Sequence, residues 1–314
     1  MRILEELKGS SKIAIGGHIR PDGDCIGSCM GLSLFLKKAM PDAQVDVFLE
    51  KPADIFLCIK DADKIITDSS AELHYDAFVA LDTNAERLGA FRKYFDAADL
   101  TINIDHHISN KDGSAMINYI KPQASSASEL VFEVIDREYL DAEIAKALYI
   151  GIIHDTGVLQ YSNTAPSTLK TAAELIGYGL DFTKIIDETF YEKTFVQNRL
   201  LGRALSKAES RLFGKCIVSC ITAEELAEFG ADSKDLEGIV SQLRYTRGAE
   251  CAVFLHELKE QEFKVSMRSN GKVDVAKVAS VFGGGGHVRA AGCTLTGTPK
   301  ACVEILLPHI EKQL

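Results

Sequence analysis

The 314-residue sequence has no tryptophan, no long uncharged apolar run, no C-x-x-C pair and no excess of positive charge. Without an uncharged apolar run of about eighteen residues, a membrane-spanning helix is excluded. The opening "MRILEELKGSSK" lacks the apolar segment and small-residue cleavage site of a secretory signal, so a cytoplasmic location is the expectation. Lys and Arg number 35 against 45 Asp and Glu, a net charge of −10. That balance repels polyanions and disfavours a protein that wraps long DNA or RNA, yet it permits a short anion held by a few local cations. Lack of tryptophan further weakens an extended base-stacking platform, although fifteen Phe and nine Tyr remain. The eight cysteines are scattered. Cys25/Cys29 and Cys216/Cys220 have four-residue spacing, and Cys58, Cys216, Cys251 and Cys293 sit in apolar contexts, which suits buried, reduced thiols.

What is present is a regular order of elements. From Lys12 to about Ile120, the strand-like runs "KIAI", "QVDVFL", "AFVALD", "TINID" and "AMINYI" alternate with helical patterns, beginning with Ile26–Met40. Such alternation predicts an α/β unit with a mostly parallel sheet flanked by helices. Amphipathic helices follow in "SSASELVFEVIDREYL", opened by Ser and Glu in capping-box style, and in "DAEIAKALYIGIIHDTG", "PSTLKTAAELIGYG" and "TFVQNRLLGRALSKAE". After Ser210 the pattern changes to "KCIVSCI", "LEGIVSQLRYT", "ECAVFLHEL" and "EFKVSMRS", then a helix, "GGGGH" and a closing helix. The reading is a catalytic domain over 1–192, a helical linker over 193–210 and a smaller α/β domain over 211–314. The junction carries no Gly/Ser-rich tract, so an ordered linker is expected.

Acidic and imidazole side chains gather where apolar runs stop. "GGHIRPDGDCIGS" carries His18, Asp22 and Asp24, and "FVALDTN" carries Asp82. "TINIDHH" carries Asp105, His106 and His107, and "YIGIIHDTG" carries Asp155 before Gly157. Any one of these fits an ordinary helix cap or turn. Four together at the carboxyl ends of a parallel sheet point to one crevice. Carboxylates in that number repel unless cations compensate them, which makes a metal site the physical inference. Oxygen and imidazole donors suit manganese, magnesium, iron or zinc, and no cysteine is expected among them. The charge of Asp22, Asp24, Asp82 and Asp155 matches two divalent ions, an arrangement suited to phosphoester hydrolysis.

The motifs "HIRPDGD", "LDTN", "DHH" and "HDTG" resemble those of the DHH phosphoesterase superfamily, and Val265 to Gly292 resembles its DHH-associated C-terminal domain. Within that superfamily the chain is similar to the compact bacterial nanoRNase/pAp-phosphatase group. The resemblance implies one ion held by His18, Asp22 and Asp82 and another held by Asp24, Asp82, His106 and Asp155, with Asp82 shared. Manganese is the favoured ion and magnesium the alternative. Asp105 is then outside the ligand set, orienting a neighbouring imidazole or amide, and His107 faces the substrate to position phosphate or protonate the leaving oxygen. Arg268 and the segment Gly283, Gly284, Gly285, Gly286 and His287 are implied to grip the substrate's phosphate. Glycines let backbone N–H groups approach an anion, and "HVRAAG" is expected to open a helix whose N-terminus favours negative charge.

The implied substrates are very short oligoribonucleotides and 3′-phosphoadenosine 5′-phosphate, with no long nucleic acid and no membrane as partner. Hydrolysis of cyclic dinucleotides or their linear products is the alternative activity, and a non-catalytic nucleotide sensor is the alternative from another class. A sensor would be favoured by loss of a ligand, but all six are present. A homodimer remains an open option for assembly.

Overall fold

The computed structural model describes residues 1–314, which divide into two compact units, Met1–Glu192 and Lys193–Leu314. The first unit contains strands β1 (Lys12–Gly16), β2 (Gln44–Phe48), β3 (Ala77–Leu81), β4 (Leu100–Asp105) and β5 (Ile117–Ile120). All pair in parallel, in the order β2-β1-β3-β4-β5. Its helices are α1 (Ile3–Glu6), α2 (Gly23–Ala39), α3 (Arg92–Ala97), α4 (Ala127–Val134), α5 (Ala142–Asp155), α6 (Pro166–Ile176) and α7 (Phe182–Ile186).

Alternation along β1 explains the layering. Ile13 and Ile15 enter the core built with α2, α4 and α5, while Ala14 enters an aromatic core of Phe48, Tyr75, Phe78, Phe91, Tyr94 and Phe95 on the opposite face. Both faces of the sheet are covered, as an all-parallel sheet requires. The strand order reverses direction between β1 and β3, and in such sheets the crevice at the carboxyl ends of those two strands is where ligands bind.

Helix α2 is nearly all buried because it is wedged between the sheet and α5. Glycine makes that approach feasible: a Cβ on Gly27 would lie 2.6 Å from the Ala147 carbonyl oxygen and 2.8 Å from the Gly151 nitrogen. Caps set where the helices begin. Asp22 accepts from the Asp24 and Cys25 N–H groups, Ser126 from Glu129 N–H, and Asp141 from Glu143 and Ile144 N–H. The capping box of α4 is displaced by one residue, since the Glu129 carboxylate accepts from Ser125 N–H at 2.9 Å.

The second unit contains α8 (Phe195–Ser206), β6 (Glu209–Arg211), β7 (Cys216–Ile221), α9 (Ala223–Glu228), α10 (Ile239–Arg244), β8 (Cys251–Lys259) and β9 (Glu262–Ser269). It continues with α11 (Val275–Val281), β10 (Gly285–His287), β11 (Ala290–Thr296) and α12 (Pro299–Glu311). The sheet runs β10-β11-β9-β8-β7-β6, antiparallel except for β7 beside β8. Val253, Leu255, Val265 and Met267 pack with Leu306 on one face. Ala252 and Phe254 pack on the other with Leu200 and Ala204 of α8 and Leu243 of α10, so α8 contributes to this unit's core.

One expectation fails here. "GGGGHVRAAG" opens no helix: Gly285–His287 and Ala290–Thr296 form an antiparallel hairpin around the turn at Val288 and Arg289. Sheet pairing of Ala290–Thr296 with β9 overrides the helix-like reading of "HVRAAG".

Candidate active site

The candidate cluster lies at the carboxyl ends of β1, β3 and β4. His18 follows β1 by two residues, Asp82 directly follows β3, and Asp105 ends β4 with His106 and His107 next. Asp24 is in the first turn of α2, and Asp155 ends α5. Asp82 is the meeting point. Its Oδ2 is 3.3 Å from His18 Nε2, and its Oδ1 is 3.4 Å from His106 Nε2 and 3.5 Å from His107 Nδ1. His106 Nε2 also lies 3.7 Å from Asp155 Oδ2 and 3.9 Å from Asp24 Oδ2. Three tight donor groups overlap here: Asp82 with Asp105, His106 and His107; Asp82 with His18 and Cys25; and Asp24 with His106 and Asp155.

Asp82 is only 2% exposed, and its Oδ1 has no hydrogen-bond donor. Its φ of 56° places it in the left-handed region, a conformation that Asp tolerates better than most residues and that recurs at functional sites. Leaving a buried carboxylate oxygen unpaired is costly, and an ion is the chemistry that relieves it.

The electrostatics of the surrounding groups agree. Burial, with the charges of Asp82 and Asp155, raises the pKa of Asp24. Burial, with Asp82 and Asp22, pushes Asp155 up to about 6, against a downward pull from His106. Burial opposes charge on His106, but Asp82, Asp24 and Asp155 override it and push the ring up to about 10. For His18, burial is outweighed by Asp22 and Asp82, and its pKa rises. Asp24, Asp155, His18 and His106 are all drawn toward their protonated forms, so this part of the cluster favours added positive charge.

Ring tautomers are set by neighbours. His18 Nδ1 donates to the Ile19 carbonyl at 2.9 Å, which turns Nε2 toward Asp22 and Asp82. His107 Nδ1 donates to Asp105 Oδ1 at 2.7 Å, leaving Nε2 for another partner. Asp105 is fully buried and also accepts from the His106 and His107 N–H groups and from Asn110 Nδ2. Burial alone would raise its pKa, yet His107 and these donors lower it. Asp105 thus fixes the His107 ring and ties down the backbone of both histidines.

Not every expected ligand is equally drawn in. Asp22 is exposed, its Oδ1 caps α2 and sits 3.6 Å from His18 Nε2, and it lies outside the tight donor groups. Desolvation by the protein crowded around it works to raise its pKa, but His18 and the two N–H donors hold this solvent-reaching carboxyl at about 2.

Three contributors escape sequence reasoning. Asn163 Nδ2 donates to Asp155 Oδ2 at 3.2 Å and to the Asp155 and Ser125 carbonyls. The Ala127 and Ser128 N–H groups at the start of α4 donate to Asp24 at 2.6 and 2.9 Å. The third is Cys25, whose Sγ lies within 4.8 Å of donor atoms of His18 and Asp82. The expectation of a cluster without cysteine is therefore corrected: the first turn of α2 points a thiol at the cluster. The serine-rich "SSAS" before α4 is the one signal that could have suggested an N-terminus near the site.

In the second unit, Arg268 on β9 is in register with Ala290 on β11, which is in register with His287 on β10. Register partners share a sheet face, so Arg268 and His287 flank the small Ala290 on one side. Gly285 and Gly286 lie in the same edge strand as His287, and Gly283 and Gly284 precede it. Arg268 Nη1 donates to the Met267 carbonyl at 3.1 Å.

A sheet of this order, with carboxylates and imidazoles at its switch point and a second mixed-sheet unit, defines a phosphoesterase architecture of the DHH type. The chain belongs to the DHH family: its residues 12–152 match the DHH family N-terminal domain, and residues 214–314 match the DHHA1 domain. It is 33% identical over 300 residues to the bifunctional oligoribonuclease and PAP phosphatase NrnA of Thermus thermophilus, covering 94% of this chain and 87% of that one. The protein of the same name from Bacillus subtilis is 30% identical, covering 90% of this chain and 89% of its own. Among solved structures, an exopolyphosphatase-related protein from Bacteroides fragilis superposes with a TM-score of 0.88 at 28% identity, covering 99% of this chain and 94% of that one. DHH phosphoesterases are metal-dependent hydrolases, and the donor set found here fits that chemistry. No helix is long and apolar enough to cross a membrane.

Proposed function

We propose that this protein hydrolyses short oligoribonucleotides to nucleoside monophosphates and 3′-phosphoadenosine 5′-phosphate to AMP and phosphate. The observation that carries this reading is the gathering of His18, Asp24, His106 and Asp155 around the buried Asp82 carboxylate, whose Oδ1 has no hydrogen-bond donor. Full-length similarity to two NrnA proteins supports the substrate class. His18, Asp22 and Asp82 would hold one divalent ion and Asp24, Asp82, His106 and Asp155 another, with manganese preferred over magnesium. When bound, such ions would neutralise negative charge developing on the phosphoryl oxygens and activate the attacking water.

The protein's own groups do the rest. Asp105 holds the His107 Nδ1 proton, so Nε2 is the atom that positions the phosphate or protonates the leaving oxygen. Hydrogen bonding to Asp105 is the main cause raising the His107 pKa, which favours the proton-carrying form. Arg268 and His287, with the backbone of Gly283 to Gly286, would hold substrate phosphate. Cytoplasmic location, exclusion of long nucleic acid and homodimer assembly belong to the same reading.

The test is a manganese-supported hydrolysis assay offering a 5′-phosphorylated RNA dinucleotide, 3′-phosphoadenosine 5′-phosphate, a cyclic dinucleotide and pyrophosphate, with Asp82→Ala as control. Preference for the first two, lost in the variant, is the expected result. Preference for the cyclic compound would transfer the protein to cyclic-dinucleotide turnover, and no hydrolysis of any would end the enzymatic reading.

A further inference from the structure

Cys25 is the one donor at the cluster that the reading above leaves unused. It sits in the first turn of α2, fully buried and without a disulfide partner. Its Sγ, a His18 ring nitrogen and an Asp82 carboxylate oxygen all lie within 4.8 Å of one another. Space for the thiol depends on Gly17, since a Cβ there would come within 2.2 Å of Sγ. The neighbouring Asp82 carboxylate is itself more than nine-tenths buried and turns Oδ2 toward His18 at 3.3 Å, while the oxygen without a donor, Oδ1, faces His106 and His107.

Sulfur changes which ion such a corner prefers. Oxygen and imidazole donors alone serve manganese and magnesium, whereas an added thiolate favours thiophilic ions such as zinc or cadmium. We propose that His18, Cys25 and Asp82 form a nitrogen, sulfur and oxygen site for a thiophilic divalent ion, which competes there with manganese. On coordination the thiol proton leaves to solvent, and the new bond is sulfur to metal. The inference rests on the reading that this cluster binds divalent ions. A thiol serving only as a small buried apolar group would show none of this behaviour.

Cobalt(II) added to the full-length protein is a direct probe, because a thiolate ligand produces a sulfur-to-cobalt charge-transfer band in the near ultraviolet. The band is expected in the wild type and absent from Cys25→Ala, Cys25→Ser and Asp82→Asn, the last of which leaves every thiol in place. Zinc displacement of manganese, followed by the paramagnetic resonance of free manganese, should need about tenfold or more zinc in both Cys25 variants, the scale of losing one supporting interaction at a metal site. Absence of the band in the wild type overturns the proposal. So does persistence of the band in Cys25→Ala, which would assign it to another of the eight cysteines. Manganese binding without a cobalt band overturns this inference alone, whereas no manganese binding in the wild type overturns the metal reading beneath it.

Discussion

His107 Nδ1 meets Asp105 Oδ1 at 2.7 Å, while Asn110 Nδ2 holds the other Asp105 oxygen at the same distance. Asn110 also donates to Asn103 Oδ1 at 2.8 Å, and Asn103 donates to the Thr83 carbonyl at 2.7 Å. A buried amide chain therefore runs from the residue after Asp82 to the carboxylate that aims His107. Networks of this kind fix orientation when every member is satisfied.

Asp105→Asn keeps the shape of this side chain but removes its charge. The expected result is a loss of kcat of about 10- to 100-fold, the scale seen when a partner orienting an imidazole is removed. Manganese content, measured on the purified protein, should stay near the wild-type value. Parallel loss of metal would show that Asp105 acts as a ligand instead.

Asp82→Asn tests the shared carboxylate without backbone strain, because Asn also accepts a left-handed conformation. Wild-type protein at a hundredfold excess of manganese over Kd should gain about 2.7 kcal/mol of stability. In the variant that gain should fall close to zero in calorimetry, and hydrolysis should be lost.

Gly151 connects packing to the site. A Cβ there would fall 1.9 Å from Ser128 Oγ and 2.9 Å from Asp24 Oδ1, so α4 or the Asp24 carboxylate must shift. Overpacking of this kind costs about 1–3 kcal/mol. Gly151→Ala should lower the melting temperature and weaken manganese binding together. A lower melting temperature with unchanged manganese affinity would place the strain in α4 alone.

Much of this arrangement could be read from residue order. Apolar runs stopping at Asp82 and Asp105 locate two strand ends, and Asp155 stands just before Gly157, where α5 ends. The hairpin was hidden because its turn, Val288 and Arg289, has neither of the Asn-Gly or Asp-Gly signals that announce a two-residue hairpin. Asn163 was hidden because it lies in a loop without periodicity, and only folding brings it to Asp155. Cys25 reads as an ordinary buried thiol, since its approach to His18 depends on the bare backbone of Gly17.

Glu129 gives a pH signature away from the metal donors. It is buried and accepts from Ser125 N–H and Oγ and from Thr168 Oγ1. Burial pushes its pKa up, but these donors outweigh it and hold the folded value below the ordinary 4.5. A depressed carboxylate contributes stability above 4.5 that is lost as the pH falls from there through the folded value. Denaturant titrations at descending pH should show this loss in the wild type. Glu129→Gln should be less stable at neutral pH by about 1.5–3 kcal/mol, the range for a hydrogen bond to a charged group, and should lack that component of acid sensitivity.

The glycine-rich edge strand separates two roles that are easily confused. Gly286 has a φ of 144°, and a Cβ there would approach the Ala290 oxygen to 2.5 Å, so Gly286→Ala should disturb the hairpin and lower the melting temperature. Gly285 has open space around its Cβ position and no positive φ. Gly285→Ala should therefore leave the melting temperature unchanged. If the backbone of this strand receives substrate phosphate, the added methyl group should still raise KM several-fold with little change in kcat, the pattern of lost uniform binding. An unchanged KM in Gly285→Ala would confine the phosphate grip to Arg268 and His287, and their alanine variants would then carry the whole loss of affinity.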